Sequence, residues 1–272
     1  MRKLNIAIIG LGNIGSYLFK YLNDNKKILT EKNNCLPIIK YVSAKNKKRK
    51  RYIKIKKKQW LKNYLDSTKL DDVDLIIELI GGAEGPAKKL VFNALKNGKH
   101  VVTANKALIA KYGDQLSKIA EKNKVNLEFE GAVGGGIPIL RTIKEGIATN
   151  KISKVYGILN GTCNYILSEM ESKKLSFKDV LIKAQQLGYA EPINPKLDLN
   201  GFDALAKIKI LSSLAFNSKI VKSNCLMEGI QNIELKDIDI ANQLNLRIKL
   251  LGVTEIIDGK LFERVHPCLV KK

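Results

Sequence analysis

The sequence predicts an α/β protein: a doubly wound parallel-sheet domain at residues 1–136, followed by an α+β domain at residues 137–272. Three observations support this class. Short apolar runs alternate with stretches of helical periodicity in the first half, the first apolar run ends in closely spaced glycines, and the alternation stops near residue 137. A chain of 272 residues with 45% apolar content can bury a core in each domain.

The first half contains five apolar runs that predict buried strands, with helical patterns between them. The predicted strands are LNIAIIG, LPIIKYVS, VDLIIELIG, HVVTAN and VNLEFEGAV, and the predicted helices lie at 13–22, 86–97 and 107–123. Strands that alternate with helices at this spacing are joined by crossover connections, which make the strands parallel and cover both faces of the sheet. The first domain is therefore predicted to be doubly wound.

The second half has a different order of elements. ISKVYGILNG predicts a strand, helical patterns follow near 162–173, 176–187, 202–216 and 235–244, and RIKLLGVTEIID and LFERVHPCLV predict two closing strands. No internal repeat or low-complexity linker separates the halves. The glycine-rich loop GAVGGGIP is therefore the predicted boundary between the domains.

Cysteine usage and the N-terminal segment bear on the compartment. The four cysteines, Cys35, Cys163, Cys225 and Cys268, show no C-x-x-C spacing, and only two histidines accompany them, so neither a disulfide framework nor a zinc site is expected. The apolar run at the N-terminus is interrupted by glycines and Asn13, which excludes a signal peptide or membrane span there. We expect a cytoplasmic protein with no membrane partner.

The positive charge is concentrated in one run. The formal net charge is +22, and ten of the 48 Lys and Arg residues stand in KNKKRKRYIKIKKK at 45–58. Blocks of like charge usually stay in water, so the run is interpreted as a mobile, solvated loop, with a polyanion-binding site as the alternative. The remaining positive charge is spread through a chain rich in Lys, Ile and Asn, so we do not expect nucleic acid to be a partner.

A glycine motif follows the first predicted strand. In GLGNIG the glycines open the first predicted helix, where they allow a pyrophosphate to approach the backbone at the helix N-terminus. This context is typical of a dinucleotide-binding Rossmann domain, and a tight turn without a ligand is the alternative. The candidate cofactor-binding residues in this motif are Gly10, Leu11, Gly12, Asn13, Ile14 and Gly15.

The end of the second predicted strand indicates which dinucleotide is bound. An acidic residue near 42–46 would bind the ribose hydroxyls of NAD, but the chain reads VSAKN there and carries no carboxylate. Lys45 and Lys47 can instead pair with a 2′-phosphate. The sequence therefore favours NADP over NAD.

The other strand ends of the first domain carry further candidates. Ligands of parallel sheets bind outside the carboxyl ends of the strands, and Gly81, Thr103, Lys106 and the loop at 130–137 all follow predicted strands. Lys106 stands just inside a predicted helix start, where a cation opposes the helix dipole by about 0.3–1 kcal/mol. Because Lys106 goes against this local preference at the end of a strand, a functional role is favoured for it. The alternative is an ordinary surface lysine.

In the second domain, charged residues gather in GYAEPINPKLDLNGFDALAKIKIL at 188–211. Asp203 and Lys207 are four residues apart and share a helix face; an exposed ion pair worth about 0.2–0.5 kcal/mol is one interpretation. The surrounding helix is apolar almost all round, however, which predicts burial and requires the lysine to be paired or functional. A lysine ammonium can supply the proton for reducing an aldehyde with a nicotinamide, while Glu191, Asp198 and Asp203 orient it or bind a substrate ammonium group.

The order of these motifs resembles the homoserine dehydrogenase family along nearly the whole chain. The motifs are GLGNIG, IIELIGG, GKHVVTANKALIA, EGAVGGGIPIL, GILNGTCNYIL, AQQLGYAEP and LDLNGFDALAKIKIL. The resemblance implies an oxidoreductase of amino-acid biosynthesis, serving threonine and methionine biosynthesis, that interconverts L-homoserine and L-aspartate 4-semialdehyde. It also implies NAD(P) as cofactor, a small-molecule substrate and a homodimer formed through the second domain.

The family's roles carry over to individual positions. Lys207 is the implied proton donor, and Lys106 is implied to lie at the nicotinamide and substrate end. Glu191 and Asp203 are the implied substrate-binding residues, with Asp198 beside them. The EGAVGGGI loop implies a monovalent cation site, for sodium or potassium, formed by backbone carbonyls; its residues are Glu130, Val133, Gly135 and Ile137.

The sequence departs from the family pattern in two places. After GYAE the family usually has an Asp-Pro step, whereas this chain has Asn194-Pro195 in a segment one residue longer. Family chains also continue beyond a segment like RVHPCLV into a stretch that closes over the cofactor domain, and longer members add an amino-acid-sensing domain. The sequence therefore predicts a short form without feedback regulation through that domain, with a truncated homologue that binds nucleotide without turnover as the alternative.

Overall fold

The computed structural model describes residues 1–192, 195–219 and 225–272. Asn194 of the Asn194-Pro195 step lies outside the described residues. The chain divides into two compact units, Met1–Ile137 and Pro138–Lys272. Each unit has its own β-sheet.

A five-stranded parallel sheet forms the centre of the first unit, in the order β2-β1-β3-β4-β5. The strands are β1 (Arg2–Ile9), β2 (Cys35–Ser43), β3 (Leu75–Glu78), β4 (His100–Thr103) and β5 (Leu127–Glu128). The helices are α1 (Asn13–Asp24), α2 (Lys26–Asn33), α3 (Pro86–Lys96) and α4 (Lys106–Lys122), and short 3-10 turns lie at Lys57–Gln59, Tyr64–Thr68 and Glu130–Ala132. The strand order reverses between β1 and β3, which opens a ligand-binding crevice at their carboxyl ends.

The apolar composition of the central strands explains this arrangement. The last four residues of β1 are all buried, as expected for a parallel strand that has helices on both faces. Ile8 of β1 lies beside Ile77 of β3 in the sheet, and both belong to the buried cluster against which α1 packs Phe19. The carboxyl ends of the strands are thereby held by a rigid core.

In the first unit, three details differ from the sequence-based expectations. The strands β3 and β5 end earlier than their apolar runs, because Gly81 and Gly82 turn the chain at φ +86° and +80° and the Glu130–Ala132 turn follows β5. Helix α2 was not predicted. It buries none of its residues and ends at the left-handed Asn34, so it carries little apolar periodicity to detect.

A four-stranded mixed sheet forms the second unit, in the order β6-β8-β9-β7. The strands are β6 (Lys154–Gly157), β7 (Leu226–Met227), β8 (Leu246–Ile257) and β9 (Lys260–Lys271). The helices are α5 (Ile139–Arg141), which continues as a π-helical turn over Thr142–Gly146, α6 (Gly161–Lys173), α7 (Phe177–Gln186), α8 (Lys196–Leu199), α9 (Phe202–Phe216) and α10 (Leu235–Gln243). Asp258 and Gly259 join β8 to β9 with positive φ at both positions, the geometry that a two-residue hairpin turn requires.

The predicted fold class is confirmed. A parallel sheet with flanking helices is followed by a unit with a mixed sheet and its own helices. Within the described ranges, none of the helices combines the length and apolar character that crossing a bilayer would demand.

Candidate functional site

The glycine turn after β1 is tightly closed at two of its three glycines. Gly10 adopts φ +108°, and a Cβ there would lie 2.4 Å from the carbonyl oxygen of Leu79. A Cβ at Gly15 would lie 2.0 Å from the carbonyl oxygen of Gly10. At Gly12, by contrast, a Cβ would meet no atom within 4 Å. The turn therefore leaves open space at the start of α1.

That open space fits a dinucleotide pyrophosphate. Gly12 is the N-cap of α1 and offers no side-chain acceptor to the amides of the first turn. Such amides bind phosphate readily, because the helix dipole adds positive potential where they point. Leu11 is buried, whereas Asn13 and Ile14 are exposed at the helix start.

The segment after β2 approaches the glycine turn through an arginine that the sequence did not single out. Arg51 Nε donates to the carbonyl of Leu11 at 3.0 Å, and its terminal nitrogens donate to the carbonyls of Asn46 and Arg49 at 2.8 and 2.9 Å. Lys47, a predicted phosphate partner, donates its ammonium to the carbonyl of Leu61 at 2.6 Å. Lys45 is exposed. Arg51 thus brings a fixed positive charge to the glycine turn.

A buried carboxylate organises the ends of β3 and β4. Glu78 is 0% exposed. Its Oε1 accepts from the amides of Ile80 and Gly81 at 2.7 and 3.0 Å, and its Oε2 accepts from the Thr103 hydroxyl at 2.6 Å. Glu78 was not among the residues predicted from the sequence, although a single carboxylate within the apolar run IIELIGG indicates a buried charge that needs partners.

Asn105 extends this network to Lys106. The Asn105 side chain donates to the carbonyl of Gly82 at 2.7 Å and accepts from the amide of Leu108 at 3.1 Å, which caps α4. Lys106 follows as the first residue of that helix and is half-buried. Gly81, Thr103 and Lys106, predicted from separate strand ends, are therefore linked through Glu78 and Asn105.

The predicted cation-site residues lie in one loop. Glu130 starts a 3-10 turn, and the Ile137 amide donates to the carbonyl of Gly134 at 2.7 Å. Gly134 and Gly136 have φ of +61° and +88°, which lets the chain fold back twice within a few residues. Cation binding by the carbonyls of Glu130, Val133, Gly135 and Ile137 stays a prediction.

In the second unit, Lys207 of α9 has two close partners. Its Nζ lies 2.7 Å from Oδ2 of Asp203 and donates to the carbonyl of Leu159 at 2.6 Å. The side chains of Lys207 and Asp203 are only 18% and 7% exposed, so the alternative of an exposed surface pair is wrong. The ammonium is thus held at one point by two oxygens.

Asn160 joins the acidic residues of this cluster. Its Nδ2 donates to Oδ1 of Asp198 at 2.8 Å and to Oδ2 of Asp203 at 2.9 Å, while its Oδ1 accepts from the Cys163 amide at 2.8 Å. The last contact makes Asn160 the N-cap of α6. The sequence contained this signal, because Asn precedes Gly-Thr at a predicted helix start, but the link to two distant carboxylates depends on the tertiary fold.

The charged residues that the sequence places around Lys207 do not all reach it. Asp203 contacts the ammonium directly, and Asp198 reaches the cluster through Asn160. Glu191 is exposed, whereas the ammonium of Lys207 contacts Oδ2 of Asp203 and the carbonyl of Leu159. The expectation that these carboxylates crowd one lysine is therefore met by Asp203 and only indirectly by Asp198.

The buried thiol of Cys163 has a pKa that is affected by the carboxylates of this cluster. Burial raises the pKa of Cys163 to about 12, with the charges of Asp198 and Asp203 adding to the effect. The thiol donates to the carbonyl of Asp198 at 3.3 Å. Cys163 is therefore a protonated packing residue.

Two family models match the chain. One, homoserine dehydrogenase NAD binding domain, matches residues 10–130, and the other, homoserine dehydrogenase, matches residues 138–272. The chain belongs to the homoserine dehydrogenase family. The first match contains the glycine turn and the second contains the Asp203–Lys207 pair.

Relatives and solved structures in this family extend over nearly the whole chain. Homoserine dehydrogenases of Neisseria gonorrhoeae and Bacillus subtilis are 42% and 37% identical over 270 residues, which is 99% of this chain. The crystal structure of a homoserine dehydrogenase from Thiobacillus denitrificans superposes on 100% of the chain with a TM-score of 0.92 at 37% identity. The chain spans 61% and 62% of the two relatives and 62% of that structure, about three-fifths of their length.

Proposed function

We propose that the protein catalyses the NADP-dependent interconversion of L-homoserine and L-aspartate 4-semialdehyde. The observation that carries the proposal is the mostly buried Asp203–Lys207 pair, fixed by Leu159 and Asn160 in a chain of the homoserine dehydrogenase family. A lysine held in this way is suited to proton transfer at one defined position.

The cluster in the second unit supplies acid–base chemistry and charge. In aldehyde reduction, the Lys207 ammonium gives a proton to the forming alkoxide; in alcohol oxidation, its amine takes the hydroxyl proton. Asp203 holds Nζ in place, and Asn160 orients both Asp203 and Asp198. These carboxylates, with Glu191, attract the ammonium group of an amino-acid substrate.

The first unit contributes the cofactor site. A bound nicotinamide cofactor supplies or takes up the hydride. The α1 amides and the glycine turn hold the pyrophosphate, while Gly81, Thr103 and Lys106 form the edge beyond β3 and β4. Arg51 and Lys45, in a segment without a carboxylate, favour the 2′-phosphate of NADP.

The proton-donor role is tested by steady-state kinetics of homoserine oxidation. Lys207→Ala should lower kcat by at least about a hundredfold, since losing general acid–base catalysis typically costs 10²–10⁴-fold. Lys178→Ala, which removes an exposed lysine on α7, should leave kcat unchanged. A Lys207→Ala enzyme that folds and turns over at the wild-type rate would refute the assignment. Cofactor binding by the wild-type protein with no homoserine oxidation would instead support a nucleotide-binding homologue.

The NADP preference has its own test. Arg51→Gln should lower kcat/KM for NADP at least about tenfold while changing that for NAD little, since a charge-assisted contact to phosphate is worth about 1.5–3 kcal/mol. An unchanged ratio of the two values would remove Arg51 from cofactor selection.

Two further features belong to the proposal. The loop of Glu130, Val133, Gly135 and Ile137 binds a sodium or potassium ion, and the protein forms a homodimer through its second unit. Replacing potassium with choline should lower activity if the loop holds a cation. Light scattering of the purified protein measures the mass of the assembly in solution and so tests the homodimer.

A further inference from the structure

The basic run at 45–58 is fixed to the first unit. Ile53 and Ile55 are half-buried against the core cluster around Phe19, whereas Tyr52, Lys54 and Lys56 between and beside them are exposed. This strict alternation sends the apolar side chains inward and the charged ones outward. The expectation of a freely solvated loop is therefore wrong for the second half of the run.

Hydrogen bonds attach the residues that directly follow the run to the edge of the sheet. The Gln59 side chain donates to the carbonyl of Ile39 at 2.8 Å, and the Leu61 amide donates to the carbonyl of Val42 at 3.0 Å. Both acceptors belong to β2, the edge strand of the sheet. The exposed lysines of the run thus form a surface with a defined position.

That surface borders a groove of about 860 Å³ between β2, the second half of α1 and residues 52–59. Six lysines and two aspartates line it. Asp24 pairs with Lys20 and Asp72 pairs with Lys40. The remaining four lysines have no carboxylate partner within the described ranges: Lys26, Lys54, Lys56 and Lys58.

Exposed aromatic rings accompany these lysines. Tyr52 lines the groove and is 65% exposed. Tyr17 and Tyr21 on α1 stack with ring centroids 6.1 Å apart and are 62% and 43% exposed.

We propose that this groove binds a short single-stranded nucleic acid through Tyr52, Lys54, Lys56 and Lys58. Lysines neutralise successive phosphates, and exposed tyrosines stack on bases that a duplex would keep paired. Stacking is tolerant of sequence, so the groove binds without strong base preference. Nucleic acid is not an expected partner from the sequence alone, and the arrangement of these side chains is what supports the proposal.

The groove is separate from the proposed cofactor site. It contains the second half of α1 and the middle of β2, whereas the glycine turn lies at the opposite end of α1 and beyond the carboxyl end of β1. Arg51, at the end of the first half of the run, contacts the glycine turn. The two halves of the basic run therefore serve different ligands, and the proposal does not depend on dehydrogenase activity.

Fluorescence anisotropy of a labelled 12-nucleotide oligo(U) or oligo(dT), titrated with the full chain at several salt concentrations, tests the proposal. The triple variant Lys54→Gln, Lys56→Gln, Lys58→Gln should bind at least about tenfold more weakly, and the slope of log K against log salt should fall by about 2, at about 0.7 per lost phosphate contact. The matched control, Lys89→Gln, Lys96→Gln, Lys122→Gln, removes the same charge from exposed positions on α3 and α4. It should change binding little.

The aromatic contribution is tested separately. Tyr52→Ala should weaken binding about tenfold with an unchanged salt slope, because base stacking is lost and no phosphate contact is. Tyr156→Ala, at a 68%-exposed position in the second unit, is the control. Equal losses in both lysine triples, no effect of Tyr52→Ala, or equal affinity for a duplex of the same length would each overturn the proposal. Circular dichroism and thermal melts establish that the variants fold.

Discussion

Asn160 is an uncharged side chain that lies between two carboxylates, and its amide nitrogen donates a hydrogen bond to each of them. The Asp198 and Asp203 oxygens that it contacts would repel each other without its two N–H donors. Because Asp203 in turn holds Lys207, the position of the lysine depends on an amide that does not touch it. Asn160 is therefore a positioning residue for the proposed proton donor.

We expect Asn160→Asp to lower kcat/KM for homoserine at least about tenfold, since a lost hydrogen bond to a charged group costs about 1.5–3 kcal/mol. Aspartate keeps the acceptor that caps α6 but removes both donors. Aspartate also adds a third carboxylate beside Asp198 and Asp203, so Asn160→Ala, which removes both donors and the cap without adding charge, should retain more activity than Asn160→Asp. Wild-type turnover by Asn160→Asp would contradict the positioning role.

Cys163 shows how the same cluster affects a neighbouring thiol. With its pKa raised to about 12 by burial and by the two aspartates, Cys163 should resist iodoacetamide at pH 8, because only the thiolate is nucleophilic. Peptide mapping by mass spectrometry measures this, with the half-buried Cys35 as the internal comparison. Alkylation of Cys163 in the native protein, as fast as in guanidinium, would contradict it.

At the scale of elements, the β1–α1 turn combines two kinds of glycine. Gly10 and Gly15 are required by close backbone approach, whereas Gly12 leaves space for a ligand. All three occupy one motif in the sequence, and only the contacts distinguish their roles. Stability and cofactor binding therefore depend on different glycines of one turn.

Two alanine substitutions should separate those roles. Gly15→Ala places a Cβ 2.0 Å from the Gly10 carbonyl, so we expect a loss of at least about 1–3 kcal/mol in the free energy of unfolding, the usual cost of forced overpacking. Gly12→Ala should leave the melting temperature nearly unchanged and raise the KM for the dinucleotide. Thermal melts and cofactor titrations measure both, and equal destabilisation by the two variants would refute the distinction.

The strand ends show how elements build the candidate site. Glu78 at the end of β3 and Asn105 before α4 tie two loops together across the sheet. Gly81, Thr103 and Lys106 could be predicted from the sequence because parallel strands end at one edge. The contact of Glu78 with Thr103 and that of Asn105 with Gly82 could not, because partners 25 and 23 residues apart leave no local pattern.

At the scale of the whole molecule, the chain has 48 Lys and Arg residues but only 26 Asp and Glu residues. A formal charge of +22 destabilises a compact chain through self-repulsion. Salt weakens this repulsion, because the screening length at 0.1 M is only about 10 Å. We therefore expect the melting temperature to rise when potassium chloride increases from 20 to about 300 mM at constant pH. A melting temperature that falls over this range would show that attractive ion pairs dominate instead.

The sequence by itself determined the fold class, most of the helices and strands, the glycine turn and the Asp203–Lys207 spacing, because each is encoded by local periodicity or by residues close in the chain. Tertiary structure decided which charges meet. It brought Asn160 between Asp198 and Asp203, left Glu191 exposed, attached Arg51 to the glycine turn and fixed the lysines of the basic run along β2. These contacts join residues that are distant in the chain. Such pairs form only after packing of the apolar core has set the positions of the helices and strands that carry them.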